Sequence, residues 1–178
     1  AIWLVIALPL IGFLVQALCG KIIVDALGAR VGKWIMGLLA VLPIAASFGV
    51  AAKLTADLAA LDASQRSFVY ELYDWITLQS LSIPFEVLID PLSMTMVLII
   101  TGIGALIHLY ATGYMADDRD YTRFFCYLNL FIAFMLVLVL GNNLAMLFIG
   151  WEGVGLCSYL LIGFWYKDVA NAKAANKA

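Results

Sequence analysis

The feature that most constrains this chain is a series of five apolar runs, each close to the length that a helix needs to cross a bilayer. A hydrocarbon core about 30 Å thick takes about 20 helical residues. The runs occupy residues 2–20, 31–52, 91–114, 122–140 and 144–166. With 65% hydrophobic and only 12% charged residues, they predict an all-α integral membrane protein, a polytopic bundle of five spanning helices.

The long connection, residues 53–90, differs in character from the spans. Near its end, apolar residues alternate with more polar ones, at Ile83, Phe85, Val87 and Ile89. This period of two is typical of a strand, and the preceding SFVYELYDWI completes a predicted short extramembrane β-hairpin. Asp90 and Pro91 then predict the start of the third helix, because an acidic N-cap followed by proline suits a first helical turn.

The distribution of Lys and Arg predicts the orientation. Only Lys53 and Arg66 lie on the side of the long connection. The other basic residues flank the opposite side, at Lys21, Arg30, Lys33, Arg119, Arg123, Lys167, Lys173 and Lys177. By the positive-inside rule, that side is the cytoplasm or matrix. The N-terminus and residues 53–90 would then face the periplasm or the intermembrane space.

One ionisable residue lies deep inside a run. The stretch AMLFIGWEGVGLCSYLLIGFWY, residues 145–166, is apolar except for Glu152. Glu152 follows Asn143 by nine residues, which places it about 13 Å into the membrane, near the midplane. A charged side chain there costs roughly 2.5–3.5 kcal/mol on insertion scales. Because such residues are commonly functional, Glu152 is the main candidate for proton transfer.

No cation of this chain has a sequence position that would pair it with Glu152. Lys167 lies fifteen residues further along, about 22 Å in a helix, and Arg123 lies near the inner end of the fourth run. A basic partner would have to come from sequence beyond Ala178 or from another subunit. Two interpretations stay open: a permanently protonated acid that hydrogen-bonds a neighbouring helix, or an acid that gains and loses a proton on an ion path.

The helix around Glu152 also favours contact with protein or water over contact with lipid. Several small residues would let another helix, or water, come close, namely Gly150, Gly153, Gly155, Cys157 and Ser158. Ser158 and Tyr159 are therefore candidate supporting residues of a proton path.

Two more polar residues lie within the runs. His108, about 27 Å along the third helix from Asp90, is either an interfacial histidine beside Tyr110 and Tyr114 or a proton relay at the inner mouth. Asn129, in the fourth helix, is either an interhelical hydrogen-bonding residue or a ligand of a water chain.

Other chemistry has little support in the sequence. Cys19, Cys126 and Cys157 lie in apolar runs without CxxC spacing, and there is 1 histidine, so no metal framework is predicted. GVGLCS has Ser158 where a dinucleotide loop needs its third glycine, and it lies inside a span. A net charge of -2 gives no indication of nucleic-acid binding. We therefore expect no cofactor and no metal in this chain.

The motif GWEGVGLCSYLLIGFWY resembles the fifth-helix signature of the L-type membrane subunits of NADH:quinone oxidoreductase, respiratory complex I. The mitochondrial counterpart is NADH dehydrogenase subunit 5. DPLSMTMVLIITGIGALIHLYATGYM and RFFCYLNLFIAFMLVLVLGNNL resemble the two preceding helices. The resemblance is specific over residues 83–178 and weaker over residues 1–82, and GLCSYLLIGFWY is more similar to the bacterial form.

The resemblance implies an antiporter-like proton channel built from inverted repeats with broken helices. The family's fifth-helix glutamate falls on Glu152 and would work with a lysine on a seventh helix, beyond this chain. Residues 1–178 would then form a single membrane domain, the N-terminal part of a longer subunit. Proton pumping would be driven by NADH oxidation and quinone reduction in other membrane and peripheral subunits of complex I, which would hold the FMN, the iron–sulfur clusters and the quinone.

The implied location is the bacterial inner membrane, with the mitochondrial inner membrane as the alternative and the N-terminus on the periplasmic side. Two rival functions stay open. One is a subunit of a multisubunit sodium/proton antiporter, which resembles this chain around DPLS and the Trp-Glu pair. The other is a non-conducting scaffold subunit in which Glu152 is permanently neutral.

Overall fold

The computed structural model describes residues 1–78 and 81–178. Its helices and strands follow in the order α1 (Ile2–Leu27), α2 (Ala29–Ala59), β1 (Phe68–Leu78), β2 (Leu81–Ile89), α3 (Pro91–Tyr114), α4 (Tyr121–Leu140), α5 (Leu144–Ile162) and α6 (Val169–Lys177). Within these described residues, five helices, α1 to α5, are long and apolar enough to cross a membrane. The prediction of a five-span all-α membrane bundle with a small extramembrane hairpin is confirmed.

The first two helices extend beyond the apolar runs that predict them. α1 continues to Leu27 and α2 begins at Ala29, so Gly28 alone separates them. Gly28 has φ 79°, a backbone conformation that costs a residue with a side chain more than it costs glycine. Hydropathy marks where a helix leaves hydrocarbon, whereas its backbone hydrogen bonds continue until a residue such as Gly28 interrupts them.

The helix α4 is the centre of the bundle. It contacts α1, α2, α3 and α5, and α2 also packs against α1 and α3. The main core lies among α1 to α4 and includes Ile44, Met94, Val97 and Leu136. By contrast, α5 packs chiefly against α4, with smaller contacts to α6 and β2. Much of the surface of α5 therefore faces away from the bundle.

The hairpin covers the end of the bundle where α3 begins and α4 ends. β1 and β2 are antiparallel, and β2 is the inner strand because Val87 and Ile89 are buried while β1 is almost entirely exposed. Phe85 stacks on Trp3 of α1 with ring centroids 5.8 Å apart. The period-two pattern thus identifies the strand face that meets the helices.

The start of α3 carries the cap that the sequence predicts. The Ser93 N–H donates to the Asp90 carboxylate at 2.7 Å, and the Asp90 N–H donates to Ser93 Oγ at 2.9 Å. The reciprocal pair satisfies two backbone donors that a helix start would otherwise leave unpaired.

Replacing Asp90 by Ala should loosen the first turn of α3 by about 1 kcal/mol. Hydrogen–deuterium exchange of the amides of residues 92–95, measured in membranes that contain the protein, should therefore speed up roughly fivefold. Asp90→Asn is the matched control, because its side-chain oxygen can still accept the Ser93 N–H. Equal exchange in the Ala variant and the parent protein would show that the cap contributes nothing.

Candidate functional site

The helix that carries Glu152 begins where the hairpin meets the bundle. The Asn143 side-chain oxygen accepts a hydrogen bond from the backbone N–H three residues further on at 3.0 Å, and its amide donates to the Pro84 carbonyl at 2.8 Å. The Asn142 amide donates to the Glu86 carboxylate at 2.8 Å. These bonds cap α5 and attach its N-terminal end to β2.

One face of α5 lies very close to α4. Its buried residues are Met146, Gly150, Gly153 and Cys157. A Cβ atom added at Gly150 would lie 2.5 Å from Leu138 Cα, and one added at Gly153 would meet the Phe134 ring. Three of the small residues expected to admit a further helix or water, Gly150, Gly153 and Cys157, therefore already face α4.

Glu152 lies on the face of α5 that points away from α4, and it is exposed at the surface of the bundle. Its exposed apolar and aromatic neighbours there are Phe148, Trp151, Leu156 and Tyr159. A Cβ atom added at Gly155, on the same face, would meet open space. Within residues 1–78 and 81–178, no side chain donates a hydrogen bond to Glu152, and the one ion pair joins Arg123 to Asp120.

This exposure has an energetic consequence. A charged carboxylate near the midplane costs roughly 2.5–3.5 kcal/mol if it faces hydrocarbon. A polar group or water from outside the described residues would remove this cost by covering this face of α5. We define this face by Phe148, Trp151, Glu152, Gly155 and Tyr159 and call it the acidic face.

His108 lies in the interior of the bundle. It is fully buried, its Nδ1 lies 2.8 Å from the Gly104 carbonyl, and its ring centroid lies 6.2 Å from that of Phe125. Its Nε2 is buried without a hydrogen-bond partner in the described part of the chain. Tyr110 and Tyr114 stack on each other and are exposed, so His108 does not share their surface.

Asn129 is also fully buried. Its amide donates to the Phe125 carbonyl at 3.0 Å, one turn earlier in α4, and its Oδ1 has no partner among the described residues. Gly12 of α1 packs directly against this side chain. Asn129 therefore occupies the contact between α1 and α4 and keeps one acceptor free.

Gln16 is a further buried polar residue of the spanning helices, and the sequence analysis did not identify it. It is 3% exposed, and its amide donates to the Met36 carbonyl of α2 at 2.6 Å. Its Oε1 is buried without a partner in the part of the chain that the structure describes. A search of the spans for uncharged amides, in addition to charged residues, would have found it.

The structure thus divides the predicted site residues into two groups. Glu152 and Tyr159 share the acidic face, with Tyr159 two turns closer to the C-terminal end of α5. His108 and Asn129 lie within the α1–α4 bundle, on the other side of α4 from that face. Ser158 is half-buried and belongs to neither group. In residues 1–78 and 81–178, no cluster of three His, Cys, Asp or Glu residues is placed to hold a metal.

Two family models match the chain. The family described as NADH-Ubiquinone oxidoreductase (complex I), chain 5 N-terminus, matches residues 75–125. The family described as NADH:quinone oxidoreductase/Mrp antiporter, TM, matches residues 141–178. Glu152 falls within the second match.

Curated relatives match along nearly the whole chain. NADH-quinone oxidoreductase subunit L of Mycobacterium tuberculosis (strain ATCC 25618 / H37Rv) is 47% identical over 99% of this chain. The Escherichia coli (strain K12) protein of the same name is 43% identical over 98% of it. This chain spans only about a quarter of each relative, 26% and 27% of their lengths.

A solved structure shares the fold. A chain in the structure of the Mrp complex from Dietzia sp. DQ12-45-1b superposes with a TM-score of 0.60 at 23% identity. The match covers 89% of this chain and 16% of that one.

Proposed function

Because the chain belongs to the family of antiporter-like L-type membrane subunits of NADH:quinone oxidoreductase, we propose that it is the N-terminal part of a proton-translocating subunit. Glu152 is the residue that accepts and releases the proton. The redox reaction that drives the transfer takes place in partner subunits, which hold the FMN, the iron–sulfur clusters and the quinone.

The observation that carries this proposal is the position of Glu152. It combines a depth near the midplane with an orientation away from its own bundle. An acid kept only as an interhelical hydrogen bond within this segment would point toward α4, where Gly150 and Gly153 allow close approach. The acidic face is instead available to a group supplied by the remaining sequence of the subunit.

A basic side chain at that face would control the charge of Glu152. A cation 4 Å away stabilises a carboxylate by about 4 kcal/mol at an effective dielectric constant near 20. That is similar in size to the cost of roughly 2.5–3.5 kcal/mol for one charge near the midplane, so the position of the base shifts the balance between the two protonation states. With the base close, Glu152 is ionised, and when the base moves away, the carboxylate takes up a proton. Alternating these two states along a water-accessible path moves protons across the membrane.

The other candidate residues have supporting roles in this proposal. Tyr159 shares the acidic face, and its hydroxyl can donate toward a proton path on the inner side of Glu152. His108, Asn129 and Gln16 are each buried with one polar atom that has no partner among the described residues, and such atoms are suited to ordered water. Ser158, half-buried and outside both groups, supplies a further hydroxyl to this path.

The proposed setting is the bacterial inner membrane, with the N-terminus on the periplasmic side. The basic residues collect at the opposite end of the bundle, as the positive-inside rule requires for that orientation. The partners are the other membrane and peripheral subunits of the oxidoreductase.

A sodium/proton antiporter subunit is the second candidate, and the fold shared with the Mrp complex is the observation in its favour. Purification of the full-length subunit from its native membrane decides between them. Co-purification with redox subunits and an NADH-driven proton gradient is the expected result. Sodium-dependent transport without redox subunits would contradict the proposal.

The structure of the assembled complex tests the role of Glu152 against that of a scaffold. We expect an amine from the rest of the subunit, or ordered water, within about 4 Å of the Glu152 carboxylate. A carboxyl group that faces lipid tails, or that lies among dry aliphatic side chains, would support the scaffold function.

A further inference from the structure

A groove of about 660 Å³ runs between α2 and α3 at the basic end of the bundle, far from the acidic face. We propose that this α2–α3 groove binds one anionic phospholipid, with the phosphate at Arg30 and Lys33 and an acyl chain along α2. The inference is independent of the proton-transfer proposal and rests only on the membrane placement of the helices.

The mouth of the groove offers donors for a phosphate. Arg30 is exposed and makes no hydrogen bond or ion pair with other described residues. Lys33 donates to the carbonyls of Ala116 and Asp118 at 2.7 and 2.8 Å, which leaves its third N–H for a ligand. Asp117 also lines the mouth. Together with Arg30 and Lys33 it gives these three side chains a net charge of about +1.

The floor of the groove adds a neutral donor. The Tyr121 hydroxyl approaches the backbone at Gly37, where an added Cβ would lie 2.5 Å from it. Both residues line the groove, and this hydroxyl has no hydrogen-bond partner in the described ranges. Gly37 therefore keeps the floor open next to a phenol that can donate to a headgroup oxygen.

The length of the groove matches one leaflet of a bilayer. Along α2 its lining runs from Arg30 through Gly37 to Val41, twelve residues whose first and last Cα atoms are about 16 Å apart along the helix axis. Half of the hydrocarbon core is about 15 Å thick. Trp34 stands at the rim and is 67% exposed, as aromatic residues at the lipid–water interface commonly are.

The chemistry changes along this length in the order that a phospholipid requires. Basic side chains lie at the end, an aromatic residue lies next to them, and aliphatic walls follow, formed by Leu38, Val41 and Leu109. Basic pockets between spanning helices at this level suit anionic headgroups. A protein helix from the rest of the subunit would not need the two cations at the mouth, so we commit to the lipid.

The test uses the assembled complex in vesicles that contain photoactivatable phosphatidylglycerol or photoactivatable phosphatidylcholine with identical acyl chains. Mass spectrometry of crosslinked peptides should show labelling of residues 34–41 and 109–113, with phosphatidylglycerol favoured over phosphatidylcholine. Arg30→Gln should reduce this preference roughly fivefold, because each basic residue near the surface contributes about 1 kcal/mol. Lys167→Gln, a change at an exposed cation outside the groove, should leave the preference unchanged.

A second pair of variants tests occupancy of the groove. A Cβ atom added at Gly113, which lines the groove, or at Gly49, which does not, would meet open space. Gly113→Leu should fill the groove and reduce labelling by both lipids, while Gly49→Leu should not.

Equal labelling by both lipids in the parent complex would show only general lipid contact. Absence of labelling, or crosslinks from these residues to protein, would show that a polypeptide covers the groove. Either result would overturn the proposal.

Discussion

Replacing Glu152 by Gln in the full-length subunit should lower the number of protons pumped per NADH oxidised while the complex remains assembled. The amide keeps the size and hydrogen-bonding capacity of the acid but cannot release a proton at accessible pH. The transfer step at this residue should slow by about 100-fold or more, the scale on which a proton-transfer group contributes. Proton uptake and NADH oxidation, measured together in vesicles, give the ratio.

Two matched variants make this result interpretable. Glu152→Asp keeps the titratable group about one methylene further from its partner, and it should retain part of the pumping. Glu71→Gln makes the same chemical change on the exposed strand β1 and should leave the ratio unchanged. An undiminished ratio in the assembled Glu152→Gln complex would show that Glu152 is a neutral structural group.

Replacing Gly150 by Leu should prevent α5 from packing on α4. An added Cβ would already lie 2.5 Å from the Leu138 backbone, and backbone cannot move aside as the end of a side chain can. Overpacking of this kind typically costs 1–3 kcal/mol and occasionally more, and leucine adds three carbons beyond Cβ. We expect a lower thermal midpoint and a reduced amount of assembled complex on native gels.

The control for Gly150→Leu is Gly49→Leu, the same change in a spanning helix where an added Cβ meets open space. It should leave assembly close to that of the parent protein. Gly150→Ala should lie between them, since its one added carbon makes the contact without the further bulk. Normal assembly of Gly150→Leu would mean that α4 and α5 approach each other less closely than the structure shows.

The cap of α3 and the burial of β2 are the features that local sequence patterns predicted correctly. Asp90 and Pro91 predicted the start of a helix, because capping depends only on residues that are close in sequence. The structure has that cap. The alternation around Val87 identified the buried face of β2 because a strand must place successive side chains on opposite sides. His108 was harder to place, since its depth follows from counting residues but its direction depends on which neighbours α3 acquires.

The amino-acid sequence predicts a depth for Glu152, because a bilayer acts as a solvent of defined thickness. An apolar run of known length has a middle, and a residue at that middle has a depth whatever its neighbours are. The side of α5 on which Glu152 lies relative to α4 could not be predicted from the sequence. Apart from Glu152, Ser158 and the Tyr159 hydroxyl, α5 is apolar, so no amphipathic pattern indicates which face meets protein.

Tertiary packing supplies that direction. Gly150 and Gly153 let α5 approach Leu138 and Phe134 of α4, and this close approach sets the rotation of α5 about its axis. Once that rotation is set, helical geometry turns Glu152 away from α4, to a surface of α5 that no other described residue covers. In hydrocarbon no hydrophobic force orients one apolar helix against another. The rotation of α5 is therefore determined by how closely its surface fits that of α4.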